Sequence, residues 1–176
     1  MGGGTKGSAS CLHKFDNLAD RDFSEQSFLG ANFAFAELSR TKFILANVKD
    51  ASFMFATLWQ TDFTNAELIS ANLRLADGWE TIFTGARLIE ANMEGFHGRG
   101  CNFRGANLRR AMLARAQFWQ ADFRGADLTD ANFKDANLLD ALFDEHTIVS
   151  SNTIFDGVPV EQFDWLKKTP RLRILK

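Results

Sequence analysis

Tyrosine is absent from the 176 residues, and proline and cysteine each occur only twice. The first proline is Pro159, so most of the chain must bend without the residue that commonly sets turns in β-rich domains. Cys11 and Cys101 stand far apart with no CxxC spacing, which indicates neither a zinc site nor a redox motif. No apolar run approaches the roughly 18–20 residues that a membrane span needs. A surplus of one charge is missing as well: 20 Lys and Arg face 22 Asp and Glu, net -2, which argues against a polybasic nucleic-acid binder. Residues 1–10 are rich in Gly and Ser and show no apolar signal core, so the default expectation is a cytoplasmic protein. What the chain does have is 45% hydrophobic residues and 18 Phe, enough for one domain with a real core and too many for a disordered polymer.

Those residues fall on a strict period. From Leu18 to Ile148 every fifth position is a centre, and 25 of 27 centres are apolar: 12 Phe, 10 Leu, Val48, Met93 and Ile148. The exceptions are Gly78 and Gly98. Two residues before the centre stands Ala at 18 of the 27 sites, and the register reads without insertion to Ile148. A period of five fits neither regular element. On a helix these sites spread around the whole circumference, and on a strand they switch faces at every repeat. A chain that turns a corner every five residues keeps them all inside.

A second period sets the size of the coil. Centres 23, 43, 63, 83, 103, 123 and 143 are all Phe, Gly78 and Gly98 lie 20 apart, and Thr41, Thr61 and Thr81 recur at the same spacing. Four pentapeptides therefore make one square turn. The stretch from Asp16 to Ser150 gives nearly seven coils, a rod about 30 Å long at ~4.8 Å per coil.

Segments such as Ala31-Asn32-Phe33, Ala66-Glu67-Leu68, Ala126-Asp127-Leu128 and Ala131-Asn132-Phe133 resemble the A(D/N)LXX signature of the pentapeptide repeat family, in 27 in-phase copies over Asp16 to Ser150. The resemblance implies an all-β fold, the right-handed quadrilateral β-helix, with centre and Ala positions inward and the other three outward. It implies no single activity. The family includes DNA-mimicking topoisomerase binders, bacterial effectors and developmental regulators.

The expected organisation is an N-terminal tail and cap over 1–15, a β-helix over 16–150, and a C-terminal capping helix with a basic tail over 151–176. Leu12 and Phe15 are expected to cover the first coil. Pro159 to Lys168 reads as a short helix that lids the last one, with Val160, Phe163 and Leu166 at helical spacing and a loose tail beyond. Glycine at corners, as at Gly85, Gly105 and Gly125, replaces proline as the turning device. Phe96, inward beside Gly98, is expected to fill the volume that Gly78 and Gly98 leave, with Trp79 leaning over Gly78.

No catalytic constellation appears. His13, His97 and His146 lie in different parts of the rod; His97 stacks above Asp77 as an expected surface ion pair, and no nucleophile joins them. Cys101 occupies an inward position. No phosphate loop, HExxH or paired-carboxylate arrangement is present, so the expectation is a protein that is not an enzyme and needs no cofactor or metal. The Thr41, Thr61, Thr81 file is inward by phase, which rejects an ice-binding ladder.

Function is sought in the outward columns. After the centres of one wall come Ala19, Ser39, Trp59, Trp79, Arg99, Trp119 and Leu139, with Arg99 placed to stack between indoles. At the adjoining corner run Phe35, Phe55 and Leu75, with Met54 beside them. Together they read as one apolar patch rich in Trp and Arg, of the kind that marks interfaces. The expected function is a rigid scaffold that docks an unidentified protein partner or a second copy of itself. The alternative is a DNA-mimic binder of DNA gyrase or another topoisomerase. Residues 16–150 hold 19 acidic and 13 basic side chains, but Arg99, Arg104, Arg109, Arg110 and Arg115 interrupt every acidic stripe, so duplex mimicry is poorly supported. Direct nucleic-acid binding is weaker still, and a salt-bridged surface is the expected state of those arginines.

Overall fold

The computed structural model describes residues 14–159, 161 and 173–175. The chain winds as a four-cornered solenoid. In each pentapeptide the residue before the centre forms a single parallel bridge to the coil above, and from Asn17↔Glu37 to Asp122↔Leu142 every bridge joins residues twenty apart. The backbone groups of one wall are satisfied by its neighbours: Phe33 N–H donates to the Ser52 carbonyl at 2.7 Å, and Ser52 N–H donates to the Ala31 carbonyl at 2.9 Å.

Corners are built by local chemistry. The N–H of Ala36 donates back to the Phe33 carbonyl at 3.1 Å, closing a β-turn whose third residue, Phe35, has φ 61°. The turn's remaining donor is taken by the side chain before the centre: Asn32 Oδ1 accepts from Ala34 N–H at 3.0 Å, and Asn72, Asn102 and Asp127 repeat the arrangement. This is the physical reason for Asn or Asp at that site. Glycine proves less necessary than expected. Gly85, Gly105 and Gly125 do take the left-handed corner, but among the described residues twenty that are not glycine adopt it too, Phe35, Phe55 and Leu75 among them. Each of these three N–H groups is held by a carbonyl of the next coil, at 2.9–3.2 Å, which fixes a conformation that costs an L-residue about 1–2 kcal/mol.

Inside, Ala and the centres alternate in a core that is buried from Ala31 to Phe143, with Leu18, Phe23 and Phe28 of the first coil partly buried. The expected Phe column is continuous: Phe43–Phe63, Phe63–Phe83, Phe83–Phe103 and Phe103–Phe123 stack at 5.0, 5.4, 4.9 and 4.8 Å between ring centroids and within 8° of parallel. Thr41, Thr61 and Thr81 point inward, and their hydroxyls donate at 2.7–2.8 Å to the carbonyls of Leu18, Leu38 and Leu58 one coil below. Cys101 continues this file, its Sγ 2.9 Å from the Gly78 carbonyl.

Phe96 plugs the glycine gap. Its ring is fully buried; a Cβ at Gly78 would lie 2.2 Å from Phe96 Cζ, and one at Gly98 would lie 2.8 Å from the Phe118 ring and 2.9 Å from Phe96. No interior volume is left there for a ligand. Trp79 belongs to an outer stack described below.

The register holds to Phe143 and then slips. Asp127 bridges Ile148 and Asn132 bridges Ile154, so one extra residue enters each time, and Ile148 sits at the bridge position while the buried Val149 becomes the centre. Asp144 organises the first insertion by accepting, on Oδ1, from the N–H groups of Gly125, His146 and Thr147 at 2.9–3.1 Å. Partial burial pushes its carboxyl up, but these donors outweigh it and hold the group below its ordinary value. Coiling continues beyond residue 150: Phe155 stacks on Phe133 at 5.3 Å and Val158 is buried.

The ends differ from expectation in two respects. Phe15 is no lid; it is 68% exposed and stacks outside on Phe35 at 5.0 Å. At the other end β1 (Ile148–Ser150) pairs in parallel with β2 (Arg173–Leu175), so part of the basic tail covers a strand edge. Leu12 and the expected helix within Pro159–Lys168 lie outside the described residues, apart from Pro159 and Glu161.

Truncating Phe96 to Ala should cost about 3–5 kcal/mol. Gly78→Ala, whose Cβ would meet the Phe96 ring at 2.2 Å, should destabilise the wild type and cost less in the Phe96→Ala background in denaturant unfolding, whereas an equal cost in both would contradict the plug.

Candidate functional site

The wall whose centres include Leu58, Gly78, Gly98 and Phe118 is bounded by two ladders, each built on corner positions that the twenty-residue coil superposes. On one side the indoles of Trp59 and Trp79 stack at 5.9 Å and 23°. The Arg99 guanidinium carbon then lies 5.6 Å from the Trp79 ring and 4.3 Å from Trp119, and Trp119 Nε1 donates to Asp140 Oδ2 at 3.4 Å. The order Trp, Trp, Arg, Trp is therefore a physical stack, with the cation between two π faces. Trp59, Trp79 and Trp119 remain 46%, 48% and 36% exposed.

On the other side Phe15, Phe35 and Phe55 stack at 5.0 Å per step, with Leu75 one coil above and the Lys14 ammonium 4.9 Å from Phe15 and 5.5 Å from Phe35. The ladder stops at Gly95, where a Cβ would lie 2.7 Å from Leu75 Cδ2. Phe35 and Phe55 carry bulky side chains at positive φ, a combination that the core does not require. Met54 beside them is half-buried and accepts from Asn72 Nδ2 at 3.8 Å.

All seven residues expected at the patch thus flank one wall, but they do not form one continuous apolar surface. The bridge file Thr57, Asp77, His97, Gln117 and Asn137 runs between the ladders, because the bridge residue of every pentapeptide faces outward. His97 and Gln117 line two adjoining hollows. One of about 280 Å³ is shared with Arg74, Leu75, Glu94, Gly95 and Arg115, and one of about 220 Å³ with Trp79, Arg99, Trp119 and Asn137. These hollows were not legible in the sequence; the break in the corner ladder at Gly95 was the available signal.

The arginines behave largely as expected. Arg110 pairs with Glu90 at 2.8 Å, Arg104 with Asp122 and Arg109 with Asp127 each at 3.5 Å, and Arg115 with Glu94 at 3.0 Å. Arg99 is engaged with indoles instead. The ion pair expected between Asp77 and His97 does not form: Asp77 Oδ1 is buried without a hydrogen-bond partner. Burial holds the Cys101 thiol far above the ordinary thiol range, so it is protonated. Among the described residues no group of three or more His, Cys, Asp or Glu side chains is placed to hold a metal.

The profile described as pentapeptide repeats matches in 8 copies over residues 46–77, 81–116 and 113–145, more than half of the chain. No curated protein sequence matches. Among solved structures, a trypsin-treated form of QnrB1, a plasmid-mediated fluoroquinolone resistance protein, is 17% identical with a TM-score of 0.55, covering 93% of this chain and 95% of that one; this likeness is one of fold. The pentapeptide repeat protein alr5209 from Nostoc PCC 7120 is 38% identical over 65% of this chain and 84% of its own, with a TM-score of 0.38.

If Phe55 is dispensable to the rod, Phe55→Gly, which relieves the positive-φ strain as it removes a stacked ring, should leave the melting temperature unchanged or higher. Phe53→Ala, two residues away in the core, should cost about 3–5 kcal/mol. Equal losses in the two variants would show that the outer ladder is structural.

Proposed function

The chain belongs to the pentapeptide repeat family, and on that premise we propose that it is a non-enzymatic scaffold, a right-handed rod of about seven coils whose ladder-bounded wall docks a protein partner or a second copy of itself. The observation that carries this reading is the preformed Trp59, Trp79, Arg99, Trp119 stack. Four large side chains are ordered before any partner arrives, so little rotamer entropy remains to be lost on association. Trp and Arg are also the residues in which interface binding energy concentrates. The positive-φ aromatics on the opposite corner add to it, since they are bulky where folding would favour a smaller residue.

The faces of the Trp79 indole are taken by Trp59 and Arg99, and one face of Trp119 by Arg99. That leaves mainly ring edges outward, which suits a protein surface better than a sugar ring or a base seeking a stacking platform.

A DNA-mimicking binder of DNA gyrase or another topoisomerase is the weaker reading. It needs an uninterrupted acidic field, whereas Glu67, Glu90, Glu94, Asp122 and Asp127 are each engaged by arginine. A supercoiling assay without effect at micromolar protein removes it.

For the docking reading, Trp59→Ala combined with Trp79→Ala should leave the circular dichroism spectrum and cooperative melting intact while abolishing self-association or partner capture. Unchanged oligomeric state and unchanged capture in that variant would overturn it.

A further inference from the structure

We infer that the ladder-bounded wall recognises an acidic segment of its protein partner: a carboxylate seated between Arg74 and Arg115, followed by an apolar side chain laid along the Trp79 and Trp119 edges. The inference rests on the docking reading of the same wall and adds the chemistry of what docks.

Charge is the first ground. Arg74 Nε lies 3.4 Å from Glu94 Oε2 and Arg115 Nη1 lies 3.0 Å from Glu94 Oε1, so one carboxylate is divided between two guanidiniums. With five N–H donors on each, both retain free donors, and their side chains stay 45% and 70% exposed. Arg99, across the wall, makes no ion pair among the described residues. Arg104 and Arg124 also share a carboxylate, that of Asp122, but Asp144 stands near enough to Arg124 to act on it as well. The lining of the two hollows therefore carries three arginines against Glu94, with Asp77 the next bridge residue below His97, while residues 16–150 as a whole are acidic.

Shape is the second ground. The Phe and Leu ladder ends at Gly95, and the hollow of about 280 Å³ opens where it stops, with Arg74 and Arg115 at its sides and Leu75 as its apolar flank. His97 and Gln117 line this hollow and the 220 Å³ hollow against the indoles, so the two form one trough across the wall. A cationic end joined to an aromatic end fits an extended segment carrying Asp or Glu beside an apolar residue. Because both faces of Trp79 and the Arg99-side face of Trp119 are already stacked, a nucleotide would find its phosphate site with little platform for its base.

The test is selection of a random dodecapeptide display library on the full chain, followed by binding of the enriched synthetic peptides to variants. Enriched peptides should carry Asp or Glu next to an apolar side chain and bind the Arg74→Glu, Arg115→Glu variant at least about tenfold more weakly. They should bind an Arg87→Glu, Arg110→Glu control, altered at ion pairs elsewhere, like the wild type. Enriched peptides free of acid, or equal binding to the reversed variant, overturn the inference; if such peptides still lose binding in the Trp59→Ala, Trp79→Ala variant, docking survives without acid recognition. Absence of enrichment over the bare support overturns acid recognition outright.

Discussion

The structure depends on one constraint: a chain that turns a corner every five residues can satisfy its backbone only through the coils above and below. Each wall is too short to form a strand of its own, so N–H and C=O groups pair across coils, and the bridges from Asn17 to Leu142 all join residues twenty apart. Once that offset is fixed, every side chain lies over its counterpart one coil away. The Phe column, the Thr and Cys file and both outer ladders all follow from this one superposition.

The same constraint explains which local preferences can be overruled. Eighteen of the twenty described non-glycine residues with positive φ have their amides held by carbonyls of the next coil, and Asn or Asp before the centre occupies a further turn donor. Phe96 and the two glycines of its wall exchange large for small without disturbing the coil, since the backbone ladder does not depend on which inward position carries the volume. Where the offset changes, after Phe143, the extra residue needs a dedicated acceptor, and Asp144 supplies it.

Much of this was legible in the sequence. The five- and twenty-residue periods specify the square coil, the buried Phe column and the outward phase of Trp59, Trp79, Arg99 and Trp119, because the repeat leaves no freedom in where a side chain points. Phe96 as a plug was legible as well. The slip at Ile148 was not: Thr147, Ile148 and Val149 offer two registers of similar hydrophobicity, and only the N–H groups gathered on the Asp144 carboxylate choose between them. Phe15 was misassigned because an apolar residue near a terminus reads as a cap, whereas its phase puts it in the corner ladder. The polar file that divides the patch follows from the bridge residue facing outward, but the hollows depend on side-chain geometry at Gly95 and Glu94, which periodicity does not encode.

The central claim, that coil-to-coil superposition at twenty residues holds the rod together, can be tested by paired deletions. Excising residues 24–43 removes one whole coil and leaves every remaining column in line; excising residues 44–45 breaks the five-residue phase, so that the bridges across that coil would have to close over eighteen residues instead of twenty. Comparing the two by denaturant unfolding, the account predicts that the twenty-residue deletion unfolds at the higher denaturant midpoint, despite losing ten times as much chain. A two-residue deletion as stable as the twenty-residue one would contradict it.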